Sequence, residues 1–254
     1  MNKIKVSIVT VTFNCHRTIQ DTITSVANQK YPFIEHIVID GASTDGTQDI
    51  IEQNRSKIRY FVSEPDNGIY NAMNKGIKLA SGSIVGVLNG DDVFYDRECI
   101  SVVVEEFKKK KVQAVCGNLV YVSPKNLENI VRYYNSEGFS PKMFAYGNMP
   151  AHPAFFVYRE CYKKYGLYKE DYTIASDFEL LLRFLGTHKI SYSCLAKVLV
   201  KMRTGGVSNQ NFRSTWILNK EIVRACRENN VNTNIFKVLL KYPRKVFQLI
   251  KRPR

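Results

Sequence analysis

The sequence predicts an α/β domain built on a mostly parallel central sheet flanked by helices, and three observations carry that prediction. Strand-like and helix-like periods alternate through roughly the first 90 residues. The strand-like runs are rich in β-branched residues, as central strands are. Polar clusters follow the carboxyl ends of those runs, where open parallel sheets bind their ligands.

Taken in order, "KVSIVTVTF" reads as a first central strand, and "TIQDTITSVANQ" carries Ile19, Ile23 and Val26 at the spacing of an amphipathic helix. "EHIVID" is a second strand, followed by the turn "GASTDG" and the helix "TQDIIEQNR". "IRYFVSE" is a third strand, "IYNAMNKGIKLA" a third helix ended by Ser81-Gly82, and "IVGVLN" a fourth strand. The order β-α-β-α-β-α-β implies parallel pairing through crossover helices. Beyond residue 100, "ISVVVEEFKKKK" reads as a helix and "QAVCGNLVYVS" as a strand with its continuation. Lys125 to Pro141 is a mixed polar and aromatic stretch expected to be partly mobile, "AFFVYRE" reads as a strand and "DFELLLRFL" as a short helix.

Composition fits a folded globular chain, with 44% hydrophobic and 24% charged residues among 254. No apolar run is long enough to span a bilayer, and the N-terminus enters a strand pattern without a small-residue cleavage site. The six cysteines, Cys15, Cys99, Cys116, Cys161, Cys194 and Cys226, form no Cys-x-x-Cys pair. Reduced thiols in a cytoplasmic protein are expected, and a zinc site is not. The net charge of +14 asks for an anionic partner without choosing one. No G-x-G-x-x-G or P-loop fingerprint is present, which disfavours nicotinamide cofactors and P-loop chemistry.

Four clusters gather at the predicted strand ends: "NCHR", "DGASTDG", "SEPDNG" and "NGDD". In the last, Asp91 and Asp92 are adjacent carboxylates directly after an apolar run. Adjacent anions repel, and burying one unpaired is costly. Either the segment is an ordinary polar turn or a divalent cation is held there. Asp40, at the end of the second strand, is placed to accept from a ribose hydroxyl or a base N–H, or else it belongs to a capped turn before Thr47. Ser176 with Glu179 three residues on reads as a capping box.

The segments "SIVTVTFN", "IDGASTDGT", "SEPDNGIYNAMNKGIKLASG" and "LNGDD", followed by "MPAHPAFF", "IASDFELLLRF" and "MRTGGVS", occur in order and at suitable spacing. Over roughly residues 4 to 210 the chain resembles a family 2 glycosyltransferase of the GT-A fold, with its Rossmann-like sheet, of the kind that builds bacterial polysaccharides and O-antigens. The resemblance implies a catalytic domain over 1–210, with a nucleotide-sugar half over 1–100 and an acceptor half over 101–210, then a helical basic extension over 211–254. It also implies an inverting transfer from a nucleotide diphosphate sugar, a UDP-hexose or UDP-N-acetylhexosamine, with no covalent intermediate. By the same resemblance Thr12 and Asn14 lie near the base, Asp40, Ser43 and Asp45 line the nucleotide site, and Asp66 and Lys75 lie close by. Asp91 holds Mn²⁺ or Mg²⁺ on the diphosphate, although Asn89 stands where a first aspartate is usual. Asp92 is a ligand, a sugar contact or a supporting group. Asp177 is the general base, with Glu179 structural, His152 meets acceptor or diphosphate, and Arg203 sits in a loop that closes over the diphosphate.

The last stretch, "NIFKVLLKYPRKVFQLIKRPR", has seven Lys or Arg and no acid, with apolar residues at helical spacing and Pro243 breaking the run. Such a basic amphipathic segment suits an anionic membrane surface, or else it packs on the domain with its lysines in water. The expectation is a cytoplasmic enzyme, peripheral on the inner face of the membrane, with a lipid-linked or oligosaccharide acceptor. A transferase acting on polyprenyl phosphate is the rival within enzymes. A basic nucleic-acid-binding protein is the rival outside them, and the acidic loops argue against nucleic acid.

Overall fold

The computed structural model describes residues 3–205 and 212–242. Part of the expected closing loop (206–210) and the terminal basic run (243–254) lie outside these residues.

Four strands build the parallel half: β1 (Val6–Thr12), β2 (Ile34–Asp40), β3 (Tyr60–Ser63) and β4 (Ile84–Asn89). They lie in the order β3-β2-β1-β4. The helices α1 (Ile19–Ala27), α2 (Thr47–Gln53) and α3 (Ile69–Leu79) make the crossovers. The chain runs outward from β1 to β3 and then returns to β4 on the other side of β1. That reversal opens a crevice above the carboxyl ends of β1 and β4. The strands end nearly level, with Thr12 beside Asp40, Asp40 beside Ser63 and Val11 beside Asn89.

Side-chain alternation sorts the core. Val9, Val11, Ile37 and Ile39 face α3, where they meet Tyr70, Met73 and Ile77. Ile8, Ile84 and Leu88 face the opposite layer, which includes α4 (Cys99–Lys110) through Ile100, Val103 and Phe107. Full burial of each such side chain contributes about 1.5–3 kcal/mol relative to exposure. Gly76 lets α3 lie close on β1, since a Cβ there would come within 2.2 Å of Val9 Cγ1.

The second half extends the sheet as β8-β6-β9-β5 from β4 outward. Here β5 spans Val93–Phe94, β6 Ala114–Ser123, β8 Phe155–Tyr158 and β9 Tyr192–Arg203. β8 runs antiparallel to both β4 and β6, whereas β6 and β9 are parallel. The mixed stretch Lys125 to Pro141 splits: Asn126–Tyr134 forms β7, paired antiparallel with β6 through shifted register, and residues 135–140 lie outside regular structure. The polar residues of β7 face solvent on a sheet margin, which hides the strand from an apolar-run reading.

Two short helices follow, α5 (Arg159–Tyr165) and α6 (Ser176–Leu181), and α6 passes into a π-helical turn over Leu182–Thr187. The expected capping box is absent, because Ser176 Oγ donates to Lys169 O and Glu179 is fully buried against Arg183 and Lys169. A long helix α7 (Phe212–Glu228) packs Ile222, Ala225 and Cys226 into the core that holds α6, and α8 (Ile235–Leu239) adds Val238.

Candidate active site

The loops after β1 and β2 lace together. The backbone N–H of Asn14 donates to Ser43 Oγ at 2.8 Å, and the Asn14 side chain accepts from Thr44 N at 3.0 Å. His16 N donates to Asp45 Oδ2 and Cys15 N to Thr47 Oγ1. Asn14 and Ala42 on this rim both sit at positive φ, 50° and 60°. Asp40 is completely buried and accepts from Ser43 N, Ser43 Oγ and Ser63 Oγ. Its carboxylate therefore holds the loop in shape from below rather than facing the cleft. Asp66 accepts from Lys75 at 2.6 Å, and Lys75 also pairs with Glu64. The Asp66 carboxylate lies over Gly41, where a Cβ would stand 3.1 Å from Oδ2, and the Phe13 ring flanks the same glycine.

A cleft of about 450 Å³ opens above these loops, lined by Asn14, Cys15, His16, Arg17, Thr18, Asp45 and Asp91. Two side chains at or beside it were not named as site residues from sequence and stand out. Phe13 beside it is 63% exposed, and Arg17 is exposed with no carboxylate partner among the described residues. The signal for Arg17 was present in "NCHR", whose position at a strand end outweighs its resemblance to a polar turn.

The acidic pair follows β4. Gly90 is required there, since a Cβ would come within 2.7 Å of Thr12 Oγ1. Asp91 is half-buried, and among the described residues its carboxylate makes no ion pair. Burial raises the Asp91 carboxyl above its usual range, with the nearby Arg203 charge opposing. Asp92 is fully buried, and burial with the Asp91 charge pushes it well above the carboxylate range. Thr12 Oγ1, Asn89 Oδ1 and Asp92 Oδ1 are buried without hydrogen-bond partners. These groups fit a hard divalent cation, whose ligands are oxygens. No cluster of three or more His, Cys, Asp or Glu able to hold a metal occurs among the described residues, so diphosphate oxygens would have to complete the shell.

Arg203 was expected to face phosphate. The structure places it at the end of β9, buried, with its guanidinium donating to Asp21 Oδ2 and to the Asp91 carbonyl. It braces the acidic turn through the backbone, and its charge is already matched by Asp21.

His152 Nδ1 lies 3.0 Å from Asp177 Oδ2. The turn His152–Ala154 packs against β4, β6 and α6, so it joins the strand bearing the acidic pair to the helix bearing Asp177. Tyr121 on β6 feels both ends. Burial raises its hydroxyl, Arg132 stacked at 3.8 Å opposes, and the charges of Asp92 and Asp177 add to the rise. Asn14, Asp45 and Asp91 thus line one cleft with Asp92 buried next to Asp91, His152 meets Asp177, and Asp40, Ser43 and Arg203 are engaged in bonds within the protein.

Comparison with known proteins identifies the family and the fold. Residues 7–164 match the family described as glycosyl transferase family 2. An uncharacterised glycosyltransferase of Mycobacterium tuberculosis is 33% identical over 207 residues, 80% of this chain and 77% of the relative. A poly-beta-1,6-N-acetyl-D-glucosamine synthase of Staphylococcus epidermidis is 36% identical over 116 residues, 44% of this chain and 28% of that protein. Among solved structures, S. aureus TarS 1-349 in complex with UDP-GlcNAc superposes with a TM-score of 0.68 at 18% identity, covering 96% of this chain and 73% of that 1-349 chain. The shared architecture is the GT-A fold.

Proposed function

The chain belongs to glycosyl transferase family 2, and we propose that it is a metal-dependent, inverting hexosyltransferase using a UDP-hexose or UDP-N-acetylhexosamine. The acceptor in this reading is a hydroxyl of a lipid-linked or oligosaccharide substrate in cell-surface polysaccharide synthesis. The observation that carries it is the acidic turn after β4: Asp91, without an ionic partner among the described residues, lines the cleft beside a buried Asp92 with an orphaned oxygen. The UDP-GlcNAc complex of TarS and the polymer named for the S. epidermidis relative support the donor and product classes.

In this reading the Asn14–Ser43–Asp40 lattice fixes the nucleotide rim, and Phe13 offers its exposed ring to the base. Arg17 faces the diphosphate with a planar, unmatched guanidinium. Asp91, with Asp92 behind it, would hold Mn²⁺ or Mg²⁺. A cation held there would supply positive charge against the departing diphosphate. Asp177 removes the proton of the acceptor hydroxyl as its oxygen bonds to the anomeric carbon, and the sugar–phosphate C–O bond breaks on the opposite face. One displacement inverts the centre. His152 holds the Asp177 carboxylate in place.

Membrane contact belongs to the same reading. Trp216 is 53% exposed, Phe236 78% and Leu240 58%, Lys220 lies over the Trp216 ring, and the basic run 243–254 continues from there. These residues suit an anionic cytoplasmic leaflet. Among the described residues no helix is long and apolar enough to cross a membrane.

The test is calorimetric titration of UDP with Mn²⁺ and then with EDTA, on wild type and Asp91→Ala. Binding that needs both metal and Asp91 is expected. Binding indifferent to both would return the acidic turn to a structural role, and no binding would overturn UDP as the nucleotide.

A further inference from the structure

The segment leading into α6 has an unusual anchor. Glu221, on α7, accepts from Thr173 N at 2.7 Å through Oε1 and from Ile174 N and Ala175 N, both at 2.9 Å, through Oε2. Three consecutive amides thus close on one carboxylate from a helix about 47 positions further along the chain. Charge-assisted bonds of this kind are stronger than neutral ones and fix geometry. Ile174 is gripped from both sides, because its carbonyl accepts from Tyr70 Oη on α3. Asp177 follows two residues after Ala175, and the N-cap position of α6 offers no side-chain cap of its own. Neighbouring bonds complete the clamp: Lys169 and Tyr172 meet Glu228, and Arg224 meets Asp171.

We propose that Glu221 is a positioning residue for the transfer, setting the placement of the Asp177 carboxylate through the Thr173–Ala175 backbone, so that α7, beyond the family-matched region 7–164, is part of the catalytic apparatus. The inference rests on Asp177 being the base. General bases act over hydrogen-bond distances, so a displacement of about 1 Å costs up to about 10²-fold in rate. A carboxylate bound by three amides is a stiff support. Neutral glutamine in its place presents an amide NH₂ toward N–H donors and loses at least one of the bonds.

The experiment follows UDP release from UDP-N-acetylglucosamine with Mn²⁺, with water or a sugar acceptor as nucleophile. Wild type, Glu221→Gln, Glu221→Asp, Glu221→Ala, Asp177→Asn and the double variant Glu221→Gln/Asp177→Asn are compared. UDP affinity by calorimetry and thermal midpoint are measured on each. Glu221→Gln is expected to lower kcat 10- to 100-fold with donor KM and UDP affinity within about twofold, and Glu221→Asp to recover part of that loss. In the double variant, Glu221→Gln is expected to cost nothing beyond Asp177→Asn, since both act through one group. Folded Glu221→Gln protein with wild-type kcat would overturn the proposal, as would a full additive loss in the double variant or a loss tracking only UDP affinity and thermal midpoint. Full activity in Asp177→Asn would instead overturn the base assignment, and is read separately.

Discussion

His152 Nδ1 and Asp177 Oδ2 lie 3.0 Å apart, joining the turn beside β4 to the first turn of α6. A carboxylate only accepts, so this contact requires a proton on Nδ1 and leaves Nε2 to face elsewhere. Asp177 Oδ1 also accepts from Phe178 N at 2.8 Å, which leaves the carboxylate held at both oxygens. Asp177→Asn is expected to lower turnover by about 10²–10⁴, the range that general-base contributions span. His152→Ala, which only releases the carboxylate, is expected to cost about 10-fold, and initial rates at saturating donor measure both. Equal losses in the two variants would mean that the imidazole itself handles the proton.

Arg17 and Arg203 separate binding from support. Arg203 is buried against Asp21 and the Asp91 carbonyl, so Arg203→Ala is expected to destabilise the fold by about 1–3 kcal/mol in denaturant unfolding. Arg17 has no such partner among the described residues and lines the cleft. Arg17→Ala is expected to leave stability within about 0.5 kcal/mol and to weaken UDP about 10-fold. Uridine affinity should be untouched, since uridine has no phosphate, and calorimetry with both ligands tells the two effects apart.

His36 makes stability fall on acidification. It is fully buried beside Thr10, and burial lowers its imidazole to about 3. Below the unfolded value near 6.5 the unfolded chain takes up a proton that the native site refuses. The contribution is therefore complete above about pH 6.5 and is lost progressively down to about pH 3, at up to about 1.4 kcal/mol per pH unit. Asp91 and Asp92, both raised, act with the opposite sign in part of this range. The check is the difference between wild type and His36→Gln in urea unfolding at pH 7.0 and 5.0, where wild type should lose more.

Much of this architecture was legible because its signals are local. The first four strands announce themselves as β-branched runs, and the helix between the first two shows its apolar stripe, with Ile19, Ile23 and Val26 buried as spaced. Site residues at strand ends were legible by position, since the end of a parallel strand borders the crevice whatever the side chain does. What each one touches was not. Asp40 reads as a free carboxylate until Ser43 and Ser63 are seen to occupy it. Glu179 fits a capping box until Arg183 and Lys169 draw it inward. β7 pairs through a bulged register with polar residues outward, and Glu221 acts on a loop far away in sequence. Contacts of that span leave no periodicity for a sequence to display.

Asp92 sets stability against function. It is fully buried, its Oδ1 lacks a hydrogen-bond partner, and Asp91 is its neighbour in sequence. A lone buried carboxylate beside another is costly, and asparagine keeps its shape without the charge. Asp92→Asn is therefore expected to lose no stability without ligand and to gain about 1 kcal/mol, seen as a higher thermal midpoint. If the cost is kept for holding a cation on the diphosphate, the same variant should weaken Mn²⁺-dependent UDP binding by 10-fold or more. The two readings move in opposite directions in one protein, so loss of stability together with unchanged binding would return Asp92 to an ordinary structural role.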